Sequence, residues 1–167
     1  MVEPLLHFAI PLALFRISGL DRRTAILGGL AALMPDLDVL LMVHRSMTHS
    51  AFLLALVAVP AYLAAQRFGR GRLVAVLAAA WASHIFLDLF TGYTPILWPI
   101  LGWDLWLNWG LTVKVTSSPH LLLDTIVLSR ATSFTPLTGF DAPLFTSSGL
   151  GISLLLSAFA LAPWRRR

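Results

Sequence analysis

The chain has 167 residues, of which 57% are hydrophobic and 12% charged, and its mean hydropathy is +0.80. A soluble domain carries about 25% charged residues, so the composition argues against a monomeric soluble globule, a disordered chain and a nucleic-acid module, and in favour of a membrane protein. The absence of cysteine excludes a disulfide scaffold, an iron–sulfur cluster and a cysteine nucleophile.

The chain opens Met1-Val2-Glu3-Pro4 with no basic stretch, so no cleaved signal peptide is expected. Residues 5–20 form an apolar run interrupted by Arg16. Four further runs, at about residues 25–43, 50–66, 73–89 and 144–162, are nearly charge-free. Each approaches the ~20 residues that cross a bilayer as a helix. Gly28 and Ala32, and later Ala75, Ala79 and Ala82, are small residues suited to close helix contact, although alanine is common throughout this chain.

Between the fourth and fifth runs, residues 92–143 are different. Trp98, Trp103, Trp106 and Trp109 fall close together, and Pro95, Pro99 and Gly102 interrupt regular structure. Tryptophan at this density suits the headgroup level of a bilayer. Residues 118–129 are expected to form a short helix, with Ser118 as N-cap and Pro119 in its first turn. The segment as a whole is expected to be an external, interfacial excursion.

Arginine placement suggests an orientation. Arg16, Arg22 and Arg23 follow the first run, Arg67, Arg70 and Arg72 separate the third from the fourth, and Arg165, Arg166 and Arg167 close the chain. With all three clusters in the cytoplasm, the N-terminus is outside and the C-terminus inside. The expected architecture is an all-α polytopic bundle of about five transmembrane helices plus short interfacial helices. It forms one domain over residues 1–167, in the cell (inner or plasma) membrane.

Against this apolar background a set of ionisable groups stands out. The second run carries Pro35-Asp36-Leu37-Asp38, and the turn after it reads His44-Arg45-Ser46-Met47-Thr48-His49-Ser50. The fourth run contains His84-Ile85-Phe86-Leu87-Asp88. On a helix, His84 and Asp88 share one face. Pro35 is expected to break its helix, which lets both Asp36 and Asp38 face a polar cavity. In the five-span topology these groups and His7 all lie toward the outer face. Mixed nitrogen and oxygen donors suit zinc, manganese or iron, as one ion or two.

Blander readings exist for each part. His84 and Asp88 can simply be hydrogen-bonded, Asp36 and Asp38 can cap a helix, and Arg45 can mark a membrane edge. In combination, three carboxylates with one nearby arginine are costly to bury without a cation. His7, Asp36, Asp38, His44, His49, His84 and Asp88 are therefore the candidate metal ligands. His120 and Asp124 repeat the four-residue spacing and are candidates to join them, with a solvated interfacial role as the alternative.

The order and spacing of Pro35-Asp36-Leu37-Asp38, His44-Arg45-Ser46-Met47-Thr48-His49-Ser50 and His84-Ile85-Phe86-Leu87-Asp88-Leu89-Phe90-Thr91 resemble a family. These are the YdjM/YbcI-like inner-membrane proteins of bacteria and archaea, also described as LexA-binding, inner-membrane-associated metal-dependent hydrolases. Pro95 and Trp98-Pro99 fit the segment that follows, and His7 stands where such proteins carry an N-terminal histidine. The resemblance covers about residues 5–130 and implies metal-dependent hydrolysis.

The leading expectation is a membrane-embedded metal-dependent hydrolase acting on a phosphoester or lipid-linked substrate through metal-activated water. In it, Arg45 stabilises developing negative charge and Asp38 or Asp88 is the general base. The alternative is a non-enzymatic membrane metal-binding or transport protein. Expected partners are a lipid or lipid-linked substrate and the membrane, without nucleic acid; a scaffold for a soluble protein is a third class.

Overall fold

The computed structural model describes residues 3–115, 120–138 and 145–163. Five α-helices and one antiparallel hairpin make up its regular structure: α1 (Pro4–Ile17), α2 (Arg22–Ala31), α3 (Ala51–Gln66), α4 (Gly71–Leu89), β1 (Trp103–Lys114), β2 (His120–Ala131) and α5 (Ser147–Leu161). Two 3-10 segments, Pro35–Leu41 and Met47–His49, lie between α2 and α3. α1 packs against α2 and α5, and α4 against α2 and α3.

The core sits between α1, α2 and α5, where Leu12, Ala13, Ala25 and Ala160 are buried under Phe8, Phe15, Ile26 and Leu156. Close approach here depends on Gly28, since a Cβ on it would meet the Phe15 ring at 2.5 Å. Ala32 is also fully buried. Ala75, Ala79 and Ala82 are exposed, and α4 instead packs through Val76 and Ala80. Arg16 is part of this packing as well. Its Nε donates to the Ala160 carbonyl at 2.8 Å and its Nη1 to the Leu20 carbonyl at 2.7 Å, which ties α1 to α5.

The five-span bundle does not hold. Among the described residues, only α4, with 19 residues, is long and apolar enough to cross a membrane. The pair α2 and Pro35–Leu41, bent by 40°, becomes a second only if counted as one broken span. α1, α3 and α5 have 14, 16 and 15 residues. At 1.5 Å per residue the longest of these reaches about 24 Å, short of a hydrocarbon core of about 30 Å. Except at α4, the apolar runs are longer than the helices because caps, turns and a 3-10 segment take up their ends. The multi-pass inner-membrane topology, its N-outside orientation and the membrane-embedded setting of the expected function fall with those spans. Residues 165–167, whose arginines helped to orient it, lie outside the described residues.

The tryptophan-rich segment differs too. Residues expected to form a helix are strand: β1 and β2 pair antiparallel from Trp103 with Ala131 to Lys114 with His120. β1 alternates Trp103, Leu105, Leu107, Trp109, Leu111 and Val113 with Asp104, Trp106, Asn108, Gly110, Thr112 and Lys114. That period of two favours a strand over a helix. The hairpin base is anchored by reciprocal backbone hydrogen bonds between Thr94 and Leu105. Ser118 and Pro119 lie outside the described residues.

Candidate metal centre

Pro35 does what its ring dictates. α2 ends at Ala31 and the chain re-enters as a 3-10 segment that begins at Pro35. Three residues per turn then point Asp36 and Asp38 in different directions, and they fall on opposite sides of one imidazole. Asp36 Oδ1 is 3.6 Å from His49 Nε2, and Asp38 Oδ2 is 3.4 Å from His49 Nδ1. The return is tight, with Met42 and Arg45 both in the left-handed region at φ 56°.

His49 itself is set by the second 3-10 segment and by Ser50. The Ser50 hydroxyl accepts from Leu53 N–H to cap α3 and donates to the Trp98 carbonyl. α4 supplies His84 and Asp88 from one face. His84 Nδ1 lies 2.7 Å from the Ala32 carbonyl. A carbonyl only accepts, so Nδ1 carries a proton, and in the neutral imidazole the Nε2 lone pair faces inward. There it is 3.4 Å from Asp36 Oδ1, 3.8 Å from Asp88 Oδ2 and 3.1 Å from His49 Nε2.

Four ligand atoms, one each from Asp36, His49, His84 and Asp88, therefore lie within 4.8 Å of one another. His49, His84 and Asp88 are buried. His7 from α1 stacks on the His84 ring with centroids 3.8 Å apart, and its Nε2 is 3.5 Å from Asp88 Oδ1. The donor set fits a divalent cation. Two imidazoles and two carboxylates converge, all but the partly exposed Asp36 away from water, and neither His7 nitrogen has a hydrogen-bond partner among the described residues. A buried divalent cation compensates the carboxylate charge that burial otherwise penalises.

Asp38, His44 and His49 form a second group of this kind, sharing His49 with the first. Asp38 Oδ2, however, already accepts from the Ser46 N–H at 2.8 Å and the Thr48 hydroxyl at 3.1 Å. Oδ2, held in this way, anchors the His49 ring, while Asp38 Oδ1 is buried without a hydrogen-bond partner among the described residues. His44 Nδ1 lies 3.6 Å from Asp38 Oδ1 and 3.8 Å from Asp36 Oδ1. Burial opposes charge on His49, but Asp36, Asp38 and Asp88 around it prevail and push its pKa up to about 10.

Arg45 is turned inward. Its Nε donates to Asp88 Oδ2 at 3.0 Å, its Nη2 to Thr91 Oγ1 at 2.9 Å and its Nη1 to the Tyr93 carbonyl at 3.3 Å. The guanidinium clamps a protein carboxylate. Gly92 makes room for it, since a Cβ there would fall on Arg45 Nη1.

The structure thus brings His7, Asp36, Asp38, His44, Arg45, His49, His84 and Asp88 together. It does not bring in Asp124, whose side chain is exposed on β2 opposite Gly110. His120 starts the same strand opposite Lys114, at the end away from the anchored base. Ser46, Thr48 and Thr91 are supporting residues that the sequence reading passed over, although all three stand inside its quoted motifs.

A largely buried set of carboxylates and imidazoles, with Asp38, His49, His84 and Asp88 held by hydrogen bonds from the surrounding protein, defines a protein built around a candidate metal site. The chain belongs to the YdjM inner membrane protein family, whose family model matches residues 2–159. No curated protein and no solved structure matches it.

Proposed function

We propose that the chain is a metal-dependent hydrolase of ester-type bonds, with one zinc ion held by Asp36, His49, His84 and Asp88. The observation that carries this is the convergence of those four ligand atoms within 4.8 Å. Such a cation supplies Lewis acidity, which acidifies water and stabilises charge on an acyl or phosphoryl oxygen.

The protein's own work is orientation. The Ala32 carbonyl keeps the His84 proton on Nδ1, and Asp38 with Thr48 does the same for His49. Both Nε2 atoms are then donors to the centre. Arg45 fixes the Asp88 carboxylate, and His7 stands beside it as a fifth donor.

The test is elemental analysis of the purified protein, followed by turnover of nitrophenyl acyl esters and phosphate diesters before and after chelation. Near-stoichiometric zinc with chelator-sensitive turnover is expected. Manganese or iron in its place revises the metal alone. Bound metal with no turnover across both ester classes refutes the hydrolase and leaves a metal-binding protein.

A further inference from the structure

A cavity of about 430 Å³ opens between the end of α2, α3 and α4, and its wall includes Met34, Thr48, Val57, Ala58, Ala78 and Trp81. No charged side chain lines it. We infer that this cavity is the binding site for the hydrocarbon chain of the substrate, so that the ester hydrolysed at the metal centre belongs to a long-chain amphiphile. This rests on the hydrolase reading above.

The adjacency of cavity and centre carries the argument. Leu77 and Trp81 line the cavity from α4, and His84 and Asp88 form the centre on the same helix. Spacings of four, three and four residues put all four on one stripe. From Leu77 to His84 the rise is about 10 Å, so a ligand lying along α4 has one end in each place.

Thr48 belongs to both. Its carbonyl accepts from the Trp81 indole N–H at 2.9 Å, and its hydroxyl donates to Asp38 and lies 3.1 Å from His49 Nδ1. Met34 lines the cavity two residues before Asp36. The volume lies in the range of about 300–1,000 Å³ typical of small-molecule sites, but the lining lacks the scattered polar groups that orient a compact polar ligand. A flexible alkyl chain asks for no such groups, and its polar head has the adjoining centre.

Trp81 provides the test. The probes are 11-bromoundecyl phosphonate and 3-bromopropyl phosphonate, whose bromine quenches tryptophan on contact. The signal is the difference between wild-type protein and Trp81→Phe, with and without zinc. The long probe is expected to quench the Trp81 emission at a concentration at least about tenfold below the short one. Zinc should tighten the long probe further. Ala78→Phe, or Ala58→Phe from the opposite wall, should remove most of the chain-length advantage while zinc content persists.

Absent Trp81 quenching, equal potency of the two probes, or indifference to zinc overturns the inference; the last outcome marks a groove occupied by bulk lipid apart from the centre. Turnover of short esters, followed on the same samples, separates the two readings. Turnover without Trp81 quenching removes the chain site alone. Zinc-tightened quenching without turnover supports the chain site and counts against the hydrolase.

Discussion

His49 Nε2 and His84 Nε2 stand 3.1 Å apart, and with Nδ1 donating to the Ala32 carbonyl a neutral His84 turns its Nε2 lone pair toward His49. Two lone pairs at that distance repel, so something positive lies between them. In the metal-free protein it is the His49 proton, which three carboxylates retain up to a pKa of about 10.

A cation entering this site therefore displaces a proton. Zinc affinity is expected to rise about tenfold per pH unit between pH 7 and 9, with one proton released per ion. Calorimetry in two buffers of different ionisation enthalpy reads that proton directly. Metal-free stability runs the other way. The His49 pKa is raised from 6.5, so its contribution is full below pH 6.5 and is lost as pH rises through about 10. A zinc affinity flat from pH 7 to 9 would place the ion away from His49.

Ligands and anchors separate by magnitude. Alanine at Asp36, His49, His84 or Asp88 is expected to abolish stoichiometric zinc. Asp38→Asn keeps the ligand set but weakens the hydrogen bond that aims His49, and is expected to cost about 10- to 100-fold in affinity. His7→Ala should weaken binding less than any of the four. Titration of each variant with zinc against a competing chelator ranks them, and Asp38→Asn binding no zinc at all would make Asp38 a ligand.

Much of this centre was legible in the sequence, and the scaffold much less so. Pro35 announced a break, and Asp36, Asp38, His49, His84 and Asp88 were conspicuous because so little else nearby is charged. The fold was obscured by the same apolar background, in which helix, turn and strand look alike. Arg16 reads as a membrane-edge charge, yet the structure gives it carbonyls on α5 and beyond α1 to bind. The hairpin had a signal, the alternation from Trp103 to Val113, broken only by Trp106, that the tryptophan density masked, and the capping pattern at Ser118 and Pro119 suggested a helix where β2 runs. That Arg45 faces Asp88 had none, because the pairing spans 43 residues and depends on a left-handed turn.

Arg45 holds that left-handed conformation, which costs a non-glycine residue about 1 kcal/mol, and its three hydrogen bonds offset the strain. Arg45→Ala removes a charge-assisted hydrogen bond from Asp88, which keeps the His49 ring at 3.4 Å, and is expected to destabilise the metal-free protein by about 2 kcal/mol. Arg45→Lys keeps charge but not the fork, and should recover only part of the loss. Gly92→Ala reaches the same end by another route, by pushing the guanidinium off Asp88. Thermal unfolding of the three metal-free variants checks the order, and zinc added to each should recover stability least in Arg45→Ala. If Gly92→Ala unfolds like wild type, Arg45 does not need the position seen here.

Asp104 is the one buried carboxylate on the hairpin among the described residues, and it lies outside the centre. It sits directly across from Arg130, accepts from Arg130 Nε at 3.1 Å and from the Thr132 hydroxyl at 2.8 Å, and so clasps the open end of the two strands. Arg130 continues over the Tyr93 ring at 4.5 Å, which joins the clasp to the turn carrying Thr91 and Gly92. Arg130 is more than half exposed, so solvent weakens its ion pair, and most of the cost of Asp104→Ala comes from the part-buried hydrogen bond of Thr132. A loss of about 1 kcal/mol is expected, with faster amide exchange at Thr94 and Leu105 and zinc stoichiometry unchanged. Loss of zinc in Asp104→Ala would mean that the hairpin base supports the Arg45 pocket through Tyr93, and the clasp would then belong to the centre.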